Sequence, residues 1–259
     1  MPERVAIEAD ALTFRYSSEE YVLRGLSLRL TEGKFASVLG HSGCGKSTLL
    51  SLLMGLLRPE SGEIRVNGGA VSAPAADRAI VFQDYSLFPW MTARGNVAFG
   101  IEHSRRVSKK RALFEADEYL SRVGLRESGD KYPCQMSGGM RQRVAIARAL
   151  AMDAGIWLFD EPFSALDPQM RSSLQALVME LAKSGRGRTV LFVTHNVDEA
   201  VLLSEKIFYM EGGLFREEID VPFGYPRKKE EITNSRTYFE ISGRLAELFC
   251  ESGGGGGAE

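Results

Sequence analysis

Cysteine is scarce and odd in number: Cys44, Cys134 and Cys250 are the only three among 259 residues. They lie far apart without metal-ligand spacing, which argues against a disulfide framework or a zinc cluster and fits a reducing compartment. Long apolar runs are also missing, and none approaches the ~20 residues that a spanning helix needs. The chain is therefore not expected to cross a membrane by itself. No basic-then-apolar stretch opens it, so secretion is not expected either. Excess charge of one sign is absent, with a formal net charge of −2. Lys-Lys-Arg at 109–111 and Arg-Lys-Lys at 227–229 read as solvated surface, and no nucleic-acid partner is expected. There is no internal repeat and no heptad array long enough for a coiled coil. What remains, 44% hydrophobic and 25% charged residues, is ordinary for a globular protein of one large α/β domain or two small ones.

Against this plain background one segment stands out. Gly40-His41-Ser42-Gly43-Cys44-Gly45-Lys46-Ser47 fits Gly-x-x-x-x-Gly-Lys-Ser, the pattern of a loop whose backbone N–H groups wrap nucleotide phosphates. Glycine permits the positive φ that tight closure on an anion requires. Lys46 supplies a point charge for the β- and γ-phosphates, and the Ser47 hydroxyl is a hard oxygen ligand for Mg²⁺. The apolar run 35–39 reads as a strand before the loop, and 47–54 as a helix after it. Thr48 then falls in the first helical turn, where unpaired N–H groups and the positive end of the helix dipole face the phosphates. The pattern points to ATP or GTP. Cys44, beside Lys46 and a helix N-terminus, is expected to carry a lowered thiol pKa and to be the most alkylatable cysteine.

The rest of the chain supplies a scaffold. Residues 7–15 and 21–30 carry strand-like alternation, clearest at Leu26, Leu28 and Leu30, and residues 31–34 form a turn. Residues 61–68 read as a strand with a turn, and 78–82 as a short buried strand ending at Gln83. From about 84 to 150 the pattern becomes helical, with Ser108 as N-cap, Ala112, Ala116, Leu120 and Val123 on one face, and Gly124 ending that helix. The apolar runs 155–159 and 189–193 suit central parallel strands. Asp167-Pro168 is an N-cap with a first-turn proline, opening a helix with Met170, Leu174, Leu177 and Leu181 inward. Five consecutive glycines within residues 252–259 predict a flexible tail.

Asp160 and Glu161 close the strand over 156–159 with two carboxylates. The first suits the Mg²⁺ shell, and the second suits a general base or water-positioning group beside a γ-phosphate.

With these residues in order, Met136-Ser137-Gly138-Gly139-Met140-Arg141-Gln142 resembles the signature segment of ATP-binding cassette (ABC) ATPases. Physically, Ser137 and two glycines open a helix whose N-terminus is a second anion site. In the family, this segment of one protomer closes over the ATP held by another, which implies a head-to-tail dimer with a second copy. Met136 and Met140 stand where Leu and Gln are more usual, and the Ser-Gly-Gly contact survives both changes. The resemblance extends over about residues 5 to 215. It implies adenine stacking for Tyr16 and a link between Mg²⁺ and attacking water for Gln83. For residues 164–167 it implies a crossing to the partner, and for His195, at the end of the strand 190–194, a switch that contacts the γ-phosphate. The implied fold is α/β: a phosphate-loop NTPase core with a parallel sheet, an antiparallel N-terminal β region and an inserted helical lobe. The implied domains are 1–225, with the lobe at about 84–150, and a C-terminal extension 226–259. ATP and Mg²⁺ are the implied cofactors, with Ser47, Gln83 and Asp160 about the metal.

The apolar cluster Leu87, Phe88, Pro89 and Trp90, directly after Gln83, is a candidate docking surface. In importers of this family the equivalent loop receives a helix from an integral membrane permease subunit, which places the ATPase at the cytoplasmic face of the inner membrane as a peripheral subunit. An extracytoplasmic substrate-binding protein then acts indirectly. Pro-Trp-x-Thr at 89–92, the signature wording and Pro226-Arg227 resemble ATPases serving nitrate, sulfonate, taurine and related small anions. An ABC ATPase for another cargo, or one acting outside transport, is the alternative. The missing coiled-coil insertion, second tandem cassette and basic stripe weigh against the latter.

Overall fold

The computed structural model describes residues 4–17, 20–185 and 187–253. It divides into two compact units, one of Met1–Ala73 with Thr189–Glu259, the other of Pro74–Arg188.

The first stretch of the first unit holds β1 (Val5–Phe14), β2 (Leu23–Thr31), β3 (Phe35–Leu39), α1 (Lys46–Met54), β4 (Ser61–Val66) and β5 (Gly69–Ala70). Strands β2, β1, β4 and β5 form an antiparallel sheet in that order. Ile7 pairs with Leu30, Ala9 with Leu28 and Leu12 with Leu26, so the alternating leucines become one buried face. The change of register between Ala9 and Leu12 accompanies a left-handed Ala11 at φ 46°, the geometry of a bulge. Gly62 packs against it, at φ 91°, where a side chain would strike the carbonyls of Asp10 and Ala11.

The second unit runs β6 (Arg78–Val81), α2 (Ala93–Arg105), α3 (Lys109–Arg122), α4 (Gly138–Ala151), β7 (Ile156–Asp160) and α5 (Pro168–Lys183), with short 3₁₀ turns at Arg126–Ser128 and Pro133–Gln135. Ser108 caps α3 by accepting from the Arg111 N–H, and Ala112, Ala116 and Leu120 are its buried face. Residues 84–92 are a loop rather than the start of the helical pattern, which begins at Ala93 behind the Thr92 cap. Helix α5 carries the expected Asp167 cap and Pro168, yet its buried residues are Leu174, Val178 and Ala182. Met170, Leu177 and Leu181 are half-buried. The inward stripe runs along i, i+4 steps from Leu174, and the small Val178 and Ala182 permit close packing that bulky leucines only flank.

The chain returns to the first unit with β8 (Thr189–Thr194), α6 (Val197–Leu203), β9 (Lys206–Glu211), β10 (Leu214–Asp220), α7 (Lys229–Thr233) and α8 (Arg236–Gly253). Strand β3 lies between β8 and β9, parallel to both, and β10 runs antiparallel to β9. All five residues of β3 and all six of β8 are buried, as predominantly apolar strands in a parallel sheet should be. The compact units divide at 73/74 and 188/189, whereas the sequence places a boundary at 225/226. Ile241, Leu245 and Leu248 of α8 share one apolar core with Leu39, Tyr209 and α6. Ser252 and Gly253, expected in a flexible tail, end α8; residues 254–259 lie outside the described residues. No helix among the described residues is long and apolar enough to cross a membrane.

Candidate nucleotide site

The first unit carries one half of the expected set. Leu39 pairs in parallel with Thr194, so Gly40 and His195 leave adjacent strands at the same end, where open parallel sheets bind ligands. The loop between β3 and α1 closes on glycine. Gly43 and Gly45 stand at φ 81° and 110°, and a Cβ on Gly40 would collide with the Met210 carbonyl of β9. Only the absence of a side chain lets the loop turn this tightly against the strand. Lys46 is buried, and its ammonium donates to the Gly40 carbonyl at 2.8 Å and the His41 carbonyl at 2.6 Å. Two of its N–H bonds are thus fixed by loop carbonyls, and a longer contact at 3.7 Å reaches the Cys44 sulfur, so the loop itself aims the charge. Ser42 and Ser47 are exposed, while Thr48 is buried with its hydroxyl 3.1 Å from that of Tyr16. Tyr16 is otherwise 54% exposed and stands edge-on to Phe14 at 4.9 Å, leaving ring surface for a flat partner.

His195 is exposed and sits in a turn fastened on both sides. The Thr194 hydroxyl donates to buried Glu199 at 2.8 Å and accepts from the Asn196 N–H, and the Asn196 side chain caps α6 by accepting from the Glu199 N–H. At the far end of α6, Arg227 donates to the carbonyls of Val201, Leu202 and Ser204, and Tyr225 donates to that of Leu203. The Pro226-Arg227 segment is therefore a C-terminal cap for the helix that follows His195. The His41 ring meets Phe249 of α8 edge-on at 4.8 Å.

The second unit carries the other half. Val81 pairs in parallel with Phe159, so Gln83 and the carboxylates Asp160 and Glu161 emerge at the same end of β6 and β7. Asp160 is buried at the strand's end, and Glu161 is half-buried. Glu161 adopts a left-handed φ of 46° although a residue before proline favours extended backbone. Its carbonyl accepts from both the N–H and the hydroxyl of Ser164. Such a conformation in a non-glycine residue stores strain, and it turns Glu161 sharply off the strand. Ser137 caps α4 by accepting from the Met140 N–H at 3.3 Å, worth about 1 kcal/mol. A Cβ on Gly139 would sit 3.1 Å from the Ala165 carbonyl, and one on Gly138 3.1 Å from the Tyr85 hydroxyl. The signature helix therefore starts against residues 164–167 on one side and the loop after Gln83 on the other. Met136 is buried, which explains why another large apolar residue can replace leucine there.

Two residues that the sequence reading missed hold that loop. Tyr85 and Ser86 are consecutive left-handed residues at φ 69° and 43°, and Arg148 of α4 donates to both their carbonyls. Burial lowers the Arg148 pKa. Asn96, fully buried on α2, donates to the carbonyls of Phe88, Met91 and Thr92 and accepts from the Phe88 N–H at 2.8 Å. A polar residue at a buried helical position was the available signal for Asn96. Phe88 and Leu87 are half-buried, Pro89 is exposed, and Trp90 is 69% exposed.

Cys44 departs from expectation. Burial pushes its thiol up and outweighs the opposing charge of Lys46, while Cys134 and Cys250 are exposed. A raised pKa means less thiolate at neutral pH. We expect a small maleimide at pH 7 to label Cys134 and Cys250 before Cys44, with Cys44 labelling accelerating as pH rises, followed by peptide mass mapping over time. Cys44 labelling first would contradict the burial argument.

The chemistry of the donors fits a nucleotide with a hard divalent cation: glycine-rich backbone and an anchored ammonium for phosphates, and a hydroxyl and a carboxylate for the metal. Strand, phosphate loop and helix on a parallel sheet define a phosphate-loop nucleotide-binding domain. Residues 23–164 match the family described as ABC transporter, and the chain belongs to that family. It is 41% identical over 251 residues to the bicarbonate transport ATP-binding protein CmpC of Synechococcus elongatus, covering 93% of this chain and 37% of that protein. It is 42% identical over 226 residues to the bicarbonate transport ATP-binding protein CmpD of Synechocystis sp., covering 85% of this chain and 79% of that protein. To the nitrate import ATP-binding protein NrtC of Synechococcus elongatus it is 43% identical over 229 residues, covering 86% and 34%. The chain thus spans about a third of CmpC and NrtC. A dimeric ATP-binding cassette solved in a post-hydrolysis state with ADP and Pi superposes with a TM-score of 0.77 at 31% identity, over 84% of this chain and all of that one.

Proposed function

We propose that this chain is the ATP-hydrolysing subunit of an importer for a small anion of the nitrate or bicarbonate class, working beneath separate membrane subunits. The observation carrying the ATPase reading is the parallel register that brings phosphate loop and His195 to one strand end. The same device brings Gln83 and the carboxylates together. ATP is the substrate. Tyr16 offers its ring face to adenine, Lys46 binds the β- and γ-phosphates, and Glu161 accepts a proton from the attacking water. The water oxygen forms the new bond to the γ-phosphorus as the bond to the β–γ bridging oxygen breaks, giving ADP and phosphate. Ser47, Gln83 and Asp160 would hold Mg²⁺, which would supply positive charge to the phosphate oxygens. His195 contacts the γ-phosphate. Ser137, Gly138 and Gly139 serve the nucleotide of a second copy, so that two sites form in a head-to-tail dimer.

The cargo class rests on likeness to nitrate and bicarbonate relatives. Leu87, Phe88, Pro89 and Trp90 form the permease contact, and an extracytoplasmic binding protein delivers the anion on the far side. On this reading the subunit works at the cytoplasmic face of the membrane. Asn96 and Arg148 prepay the ordering of the loop, and a preorganised loop binds more tightly. Trp90→Ala should weaken association with the co-expressed membrane subunits about thirtyfold, since truncating a central aromatic anchor costs ~2 kcal/mol. Nucleotide affinity should stay unchanged. Detergent pull-down from native membranes measures this, and undiminished association with normal uptake would remove Trp90 from the interface.

A further inference from the structure

We propose that the C-terminal helix α8 is a positioning element for the phosphate loop, acting through Phe249 on His41. The proposal rests on the nucleotide-site reading. His41 is the second residue of the loop, and its carbonyl is one of the two that hold the Lys46 ammonium. Its ring is exposed to solvent on one side and stands edge-on to Phe249 at 4.8 Å. A second, long contact joins the His41 Nε2 to the Phe249 carbonyl at 3.4 Å.

Phe249 is itself fixed. Its ring stands edge-on to buried Tyr209 of β9 at 5.3 Å, and the Tyr209 hydroxyl donates to the Leu248 carbonyl at 3.1 Å. Strand β9 pairs with β3, and Met210 on it backs Gly40. The N-terminal part of α8 is tied down as well, where the Tyr238 hydroxyl donates to Asp198 at the start of α6. The loop is thus supported at its entry by β9 and through the His41 side chain by α8, while Gly43 faces open space. Holding His41 fixes the carbonyl that aims Lys46, and a loop ordered in advance loses less freedom when phosphates bind. The extension after residue 225 therefore acts on nucleotide affinity without touching nucleotide.

Isothermal titration of the full chain with Mg·ADP tests this. Phe249→Ala should raise Kd about three- to tenfold, the range set by one aromatic pair. In steady-state assays KM for ATP should rise by the same factor with kcat unchanged. Phe249→Tyr keeps the ring and should restore wild-type affinity. His41→Ala should match Phe249→Ala, and the double variant should be no weaker than either, because one contact is lost in each case. Leu12→Ala, in the core of the same unit, should lower Tm while leaving Kd alone. A Phe249→Ala affinity within twofold of wild type overturns the proposal, as does an equal loss in Leu12→Ala. Failure of the wild-type chain to bind Mg·ADP strikes the nucleotide-site reading instead.

Discussion

Lys46→Ala is expected to lose ATP turnover by roughly 10²–10³-fold or more, the scale seen when a preorganised charge or donor is removed from a developing anion. The side chain is buried, with two of its N–H bonds held by the Gly40 and His41 carbonyls and a third, weaker contact at 3.7 Å to the Cys44 sulfur, the one most readily exchanged for a phosphate oxygen. Nothing else on the loop is cationic: residues 40–48 contain no arginine and no second lysine. The substitution also orphans two loop carbonyls, an extra cost of about 1–3 kcal/mol if they stay buried. A thermal melt taken alongside phosphate release separates that cost from the catalytic one. Turnover within tenfold of wild type in a folded Lys46→Ala chain would dismiss the active-site assignment.

Glu161→Gln should have an equally large effect of a different kind. The amide keeps the size and hydrogen bonding of the carboxylate and loses only the base, so ATP should bind and the two copies should close without hydrolysis. Gel filtration should show a dimer in ATP that falls apart in ADP. The left-handed turn at Glu161 belongs to the backbone, so the variant should present its side chain as the native residue does. A monomer at saturating ATP, with binding verified independently, contradicts a shared site in the isolated chain.

The parts of the fold that were legible in the sequence are those where one local signal suffices. The strand over 35–39, the capped helix at 109–122 and the Asp167-Pro168 start each follow from a short pattern with a single physical cause. Candidate site residues could be named from the sequence because phosphate chemistry demands glycine, lysine and carboxylate at set spacings. Tertiary support was not. Arg148 and Tyr85 are 63 residues apart, and His41 and Phe249 are 208 apart; no local pattern encodes either pair. On α5, Leu174 is buried as expected, but the smaller Val178 and Ala182 join it while Met170, Leu177 and Leu181 are only half-buried, a distinction that hydrophobicity alone does not make. The lowered thiol pKa expected of Cys44 failed for a related reason: charge proximity is visible in sequence, and burial is not.

The position of β3 between β8 and β9 has a consequence for biosynthesis. Both neighbours are encoded at least 150 residues downstream of it. A ribosome adding ~5–20 residues per second leaves this mostly apolar strand without its partners for roughly 8–30 s. The phosphate loop is synthesised well before the strands that complete its native floor. Nascent chains that stall before residue 189 would display the nucleotide motif in full while lacking the sheet that shapes it, and would present an unpaired sticky edge to the chaperones that survey new polypeptides.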